Sequence, residues 1–183
     1  VQSAVGSRLV EADEPQSPTF GDGAAATVVS LSDRPGVLAS AHITDGERPR
    51  ALVASVRGKR WTDGGRIVLH CGDVGSARLG FLKTADQAAS VMRPALAKAG
   101  IAPEDVDVFA VHQGTPWLRA VTMELGGLTR ARYVDIFAQT AYLFGASIPF
   151  VLQRADLREG ELVLVLGGGV GATVSATVLR WAR

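Results

Sequence analysis

The chain has 183 residues, with 19 basic against 18 acidic side chains, a net charge of +1, 47% hydrophobic and 20% charged residues. That balance gives no electrostatic case for nucleic acid or an anionic membrane as the main partner, and the apolar share excludes an intrinsically disordered chain. A single cysteine, Cys71, excludes an internal disulfide and a Cys-based zinc cluster, and no apolar run approaches the ~18 residues of a membrane span. The expectation is a soluble, cytoplasmic protein. Arginine outnumbers lysine 16 to 3, a bias we assign to GC-rich coding rather than to phosphate recognition. The opening Val1-Gln2-Ser3 has no charged n-region and no signal-type apolar segment, and we expect a piece of a longer polypeptide.

In chain order, residues 1–23 are polar and end in a turn at Gly21-Asp22-Gly23. The Ala, Val and Thr of Ala24–Leu31 predict a buried strand, and Val37–Ile43 and Ala51–Val56 predict two more. Residues 57–66 form a basic, glycine-rich loop. Thr84–Ala99 predicts a helix, with Ala88, Val91, Met92 and Ala95 on one face and Gly100 as its stop. A turn at Pro103-Glu104-Asp105 leads to the strand Val106–Val111, and Thr115-Pro116 opens a second helix that runs to Gly126-Gly127. Phe144–Ala155 predicts a third helix. Leu162–Leu166, a glycine turn at Gly167-Gly168-Gly169, and Val174–Trp181 predict a closing strand pair. Strands alternating with helices indicate an α/β layered sheet.

In such sheets, functional side chains gather at strand ends, where backbone groups are free. His112 stands there, directly after one strand and before a helix, where an imidazole can act as general base or hydrogen-bond donor. The competing reading is a histidine that only caps the strand. His42 and His70 have no acidic or cysteine neighbours at ligand spacing and read as structural, so no metal site is expected. The run Gly167-Gly168-Gly169-Val170-Gly171 lets backbone N–H groups approach a substrate oxygen, as an oxyanion site requires, or makes a plain turn. It lacks the ending of a P-loop, and a strand follows it, which disfavours a phosphate cradle. Cys71 sits beside His70, but neighbours on a strand point to opposite faces, so Cys71 reads as a packed thiol.

These segments resemble the C-terminal half of the type III β-ketoacyl-acyl-carrier-protein synthases, of the thiolase superfamily. Phe20-Gly21-Asp22-Gly23-Ala24-Ala25, Asp105-Val106-Asp107 leading to Val111-His112-Gln113, Gly145-Ala146-Ser147-Ile148-Pro149, and Leu162–Leu166 into Gly167-Gly168-Gly169 follow in the family's order. The resemblance covers essentially residues 1–183. It implies an α/β thiolase-like layered fold, the C-terminal half with a mixed five-stranded sheet and helices. It implies that His112 is the histidine that bonds the thioester carbonyl, and that Gly168 belongs to the loop supporting the oxyanion site. Arg119 and the loop Arg57–Arg60 become candidates to contact a carrier protein or pantetheine phosphate, against a solvated face as the plainer reading.

There are departures from the family. Tyr142 stands where the family has its catalytic asparagine, and the nearest amide is Gln139. A phenol donates one hydrogen bond and does not copy an amide, which argues against malonyl decarboxylation. Gly114, Thr115 and Trp117 replace the family's Ala, Asn and Arg. The family's nucleophilic cysteine has no counterpart in this chain. The resemblance thus implies part of an acyltransferase of polyketide or fatty-acid-type biosynthesis. It would use acyl-CoA or the phosphopantetheine of acyl carrier protein as substrate and hold no permanent cofactor. Its expected partners are its own N-terminal half and a second copy in a homodimer. The alternative is a non-catalytic thiolase-fold subunit that stabilises or selects substrate for an active partner.

Overall fold

The computed structural model describes residues 1–14 and 17–182; Pro15 and Gln16 of the polar N-terminal stretch, and Arg183, lie outside the described residues. The elements are β1 (Gln2–Val5), the short turn α1 (Gly6–Leu9), β2 (Asp22–Ala25), β3 (Val37–Thr44), β4 (Val53–Ser55) and β5 (Val68–His70). They continue with α2 (Val74–Ala99), β6 (Val108–Val111), α3 (Leu118–Gly126), α4 (Phe137–Thr140), α5 (Ser147–Arg154), β7 (Leu162–Gly169) and β8 (Thr173–Arg180). The main sheet has the order β3-β8-β7-β6, with β6 and β7 parallel and the other neighbours antiparallel. Two small antiparallel pairs, β1 with β2 and β4 with β5, stand apart from it.

The parallel pair explains why Val108–Val111 is so uniformly apolar: a strand covered on both faces has no polar side to show. Alternation along β6 sends Phe109 and Val111 to one face, where Met92, Ala95 and Leu96 of α2 and Leu118 of α3 close the core. Val108 and Ala110 face the other way, onto Ile136, Leu143, Ala146 and Val151 of α5. The helix α2 starts at Val74 rather than Thr84, because Asp73 caps it by accepting the Ser76 N–H at 2.6 Å. Gly75 and Gly80 hide that first stretch from propensity reading. At the other end Gly100 takes a left-handed φ of 66°, as its position predicts.

Three expectations are corrected. The fifth strand of the sheet is reduced to one parallel bridge, Val108 with Arg132, on the free edge of β6. Beyond it the chain is bent by hydrogen bonds to Gln113. The strand expected over Ala24–Leu31 stops at Ala25 and pairs with β1, leaving Val28, Val29 and Leu31 at 93%, 88% and 104% exposure. No described sheet faces that apolar run, so it has nothing to pack on. The glycine turn is not a turn: Gly167, Gly168 and Gly169 remain in the ladder, opposite Ser175, Val174 and Thr173, and the chain reverses at residues 170–172. Among the described residues no helix is long and apolar enough to cross a membrane.

Candidate functional site

His112 follows the last residue of β6, and its backbone N–H still donates to the Leu166 carbonyl at 3.0 Å. Its ring Nδ1 also faces the Leu166 oxygen, at 3.4 Å. Burial holds the imidazole below its ordinary value of 6.5, and the Leu166 contact offsets this only in part. The ring is therefore neutral at pH 7. With Nδ1–H directed at Leu166, Nε2 is left as a proton acceptor; the tautomer follows from that one contact.

Gly168 packs directly on this ring. A Cβ there would stand 2.9 Å from His112 Cε1 and 3.1 Å from Nε2. Gly168 leaves room for the imidazole, and it does so from within the β7–β8 pair rather than from a turn.

Tyr142 lies on the other side, with ring centroids 5.8 Å from His112. Desolvation by burial pushes its phenol up to about 12, so it stays protonated, and no described residue bonds its hydroxyl. Phe144 and Phe20 close round it, with centroids 4.8 and 5.9 Å away. Its backbone is held at both ends: Tyr142 N–H donates to Thr19 O at 2.8 Å, and Gly21 N–H donates to Tyr142 O at 3.0 Å. A side chain on Gly21 would overlap the Thr140 carbonyl, which explains the glycine in the Phe20-Gly21-Asp22 motif. Ala141 and Phe144 both hold positive φ, 54° and 50°, so the segment carrying Tyr142 is strained on both flanks.

Gln113, quoted in the sequence motif without a role, is what positions that segment. It is buried, its Oε1 accepts the N–H groups of Ile136 and Phe137 at 2.9 and 3.0 Å, and its Nε2 donates to Val134 O at 2.7 Å. A glutamine with every polar atom engaged ties the strand that ends in His112 to the chain leading to Tyr142. Ser147 does the same one turn later, its buried Oγ accepting the Leu143 N–H at 3.2 Å. Thr115 is the opposite case. Its Oγ1 is the one buried side-chain polar atom among the described residues without a hydrogen-bond partner.

The other candidates lie elsewhere. Arg119 is committed within the protein, 3.6 Å from Asp135 Oδ2 and stacked 3.6 Å over the Tyr133 ring. Arg57 pairs with Glu11 and Glu14. Gln139 accepts from Arg154 rather than standing in for an asparagine at the site. Cys71 follows β5; the neighbouring His70 bonds Ser55 Oγ at 2.9 Å and leaves the thiol alone.

With this geometry in hand, residues 96–181 match the family described as 3-oxoacyl-(acyl-carrier-protein) synthase III C terminal. The chain is 30% identical over 176 residues to beta-ketoacyl-(acyl-carrier-protein) synthase III 1 of Streptomyces coelicolor, covering 87% of this chain and 51% of that protein. It therefore spans about half the length of that relative. The crystal structure of the synthase III of Thermus thermophilus superposes with a TM-score of 0.69 at 27% identity, over 85% of this chain and 49% of the other. That of a priming β-ketosynthase from a polyketide biosynthetic pathway gives 0.85 at 24% identity, over 97% and 55%, a likeness of fold.

Proposed function

We propose that this chain, which carries the C-terminal half of a β-ketoacyl-acyl-carrier-protein synthase III-like protein with the thiolase-like layered fold, supplies the base and the hydrogen-bond donor of an acyltransferase site. The observation behind this is the pairing of a neutral His112, its Nε2 free, with a protonated Tyr142 whose hydroxyl has no described partner. An acceptor X–H, a thiol, hydroxyl or amine, gives its proton to Nε2 as X attacks the acyl carbon. Charge building on the carbonyl oxygen meets the Tyr142 O–H. The C–S bond then breaks, and the departing sulfur takes the proton back from His112.

The acyl group arrives as a thioester of CoA or of acyl carrier protein, the latter named in the relatives themselves. Fatty-acid or polyketide synthesis is the setting we infer. The nucleophile that carries the acyl group belongs to a partner N-terminal half, because Cys71, which follows the separate β4–β5 pair, has only His70 beside it, and that ring bonds Ser55. The assembled unit is a homodimer in this reading. One observation favours the rival reading, a non-catalytic subunit: Phe20, Tyr142 and Phe144 stack against one another beside His112 and fill space a substrate needs.

The test is Tyr142→Asn in the full-length protein. A second amide donor beside His112 can stabilise the enolate of malonyl decarboxylation, worth roughly 3 kcal/mol per donor in a dry site. Condensation should appear while transfer to X–H acceptors persists. Persisting transfer with no condensation removes Tyr142 as the block to decarboxylation. A wild-type protein that never becomes acylated by any thioester decides for the non-catalytic reading.

A further inference from the structure

The β4–β5 hairpin carries a nucleophile and a base that the acyl-transfer reading does not use. Val53 is paired with His70 and Ser55 with Val68, so these four side chains share one face of the hairpin. On that face Ser55 Oγ lies 2.9 Å from His70 Nε2, within reach for transfer of the hydroxyl proton. The other ring nitrogen, Nδ1, faces the Cys71 carbonyl at 3.4 Å. With Nδ1–H directed there, Nε2 is the acceptor that a base needs. The carbonyl then takes the orienting place that a carboxylate fills in a catalytic triad. Close packing holds the chain that carries it. A Cβ on Gly72 would stand 2.8 Å from the Arg50 carbonyl and 3.2 Å from Val53 Cγ2, so the segment after His70 is pressed against the entry to β4.

Ser55 and His70 are half-buried and line a cleft of about 740 Å³. Val53 and Val56 give that cleft an apolar side, and Lys59, ion-paired with no described carboxylate, puts a positive charge in it. Neither His112, Tyr142 nor Gly168 lines it. We propose that Ser55 is the nucleophile and His70 the general base of a second site, which hydrolyses short carboxylic esters. The Ser55 hydroxyl gives its proton to Nε2 as Oγ bonds the ester carbonyl carbon. The bond from that carbon to the alcohol oxygen then breaks, and the departing oxygen takes the proton from Nε2. Water follows the same route: it gives a proton to Nε2 and bonds the acyl carbon. The acid leaves as the bond to Oγ breaks, and Oγ takes the proton back. Lys59 balances the charge that builds on the carbonyl oxygen in each half. The apolar side takes the acyl chain.

The test treats the full-length protein with a fluorophosphonate, which bonds serines activated by a neighbouring base, and locates the adduct by peptide mass spectrometry. The adduct should lie on Ser55, and in His70→Gln it should form slower by ~10²-fold or more. Hydrolysis of p-nitrophenyl acetate gives the second readout. Ser55→Ala, with its Tm unchanged, should remove most of that hydrolysis. No adduct on Ser55 overturns the proposal, as does an adduct formed at the wild-type rate in His70→Gln. Hydrolysis that persists undiminished in Ser55→Ala overturns it equally, and that variant decides even where His70→Gln fails to fold. Neither readout involves acyl transfer at His112, so failure here is distinct from failure of the activity proposed above.

Discussion

β6 and the run from β2 to Leu31 are both short stretches rich in alanine and valine, and the structure treats them oppositely. All four residues of β6 are buried, between α2 and α3 on one face and α5 on the other. The second run is paired only as far as Ala25, and its valines lie in solvent. Composition decides that a segment is able to be a core strand; the neighbours on both sides decide whether it becomes one. The candidate site sits on the first kind of strand. His112 extends from a buried ladder and takes its orientation from Leu166, Gly168 and, through Gln113, the segment of Tyr142.

The largest effect expected on the well-built side comes from His112→Ala. Loss of the base should lower acyl transfer by ~10²–10⁴-fold in the full-length protein. Near-normal turnover would make His112 a strand cap and nothing more. The pH profile gives a second reading. The folded pKa lies below the ordinary 6.5, so the base form survives acidification through 6.5 and kcat/KM should stay level there, falling only at lower pH. The same shift contributes stability that is present above 6.5 and is lost as pH falls through the lowered value. An acid limb at or above 6.5 would contradict a buried, neutral imidazole.

Gly168→Ala comes next. The added methyl meets His112 at 2.9 Å, and a ring held by one long contact to Leu166 gives way before the paired strand does. Activity should drop by about tenfold or more with little change in Tm, since misplacement of a reacting group costs rate out of proportion to stability. Equal losses in Tm and activity would mean that the strand had moved instead.

Much of this site was legible in the sequence, and particular residues explain where reading stopped. His112 and Gly168 could be named because a strand end and a glycine run are local signals. That they touch could not, since β6 and β7 are far apart in the chain, with α3, α4 and α5 between them, and the pairing of Val111 with Leu166 is a tertiary fact. Gln113 was invisible for the same reason: a glutamine after a strand shows no sign that three backbone groups over twenty residues on will bond to it. Arg119 shows the same limit from the other side. The resemblance made it a candidate contact, and the sequence held no sign that it would stack on Tyr133 beside Asp135.

A moderate effect is expected at the far end of the same sheet. Arg132 grips Glu161 through two bonds of 2.6 Å, and Glu161 also accepts the Arg158 N–H at 2.8 Å. Arg132 in turn reaches the carbonyls of Ala155 and Asp156, so the clamp joins the edge of β6 to the start of β7. The side-chain hydrogen bond from Arg132 is the main reason that the Glu161 carboxyl is held at about 2. A lowered carboxyl contributes stability above its ordinary 4.5 and loses it as pH falls toward 2. Arg132 is 43% exposed, so screening limits the gain. Glu161→Gln should lower Tm by about 2–4 °C at pH 7, and the gap to wild type should close on acidification toward pH 2. A gap that stays constant with pH would assign the loss to packing.

The smallest effect tests whether the site is complete as the structure shows it. Thr115 Oγ1 is buried without a partner, three residues after His112 in the turn that leads into α3. A buried hydroxyl with no bond costs stability, and valine has the same shape without it. If the hydroxyl serves no purpose, Thr115→Val should stabilise the full-length protein by about 1 kcal/mol and leave transfer unchanged. If it is kept for a substrate oxygen, the same variant should gain that stability and raise KM, because the bond was being reserved for the bound state. The two outcomes separate on KM alone, and a loss of stability would show that Thr115 is already satisfied within the fold.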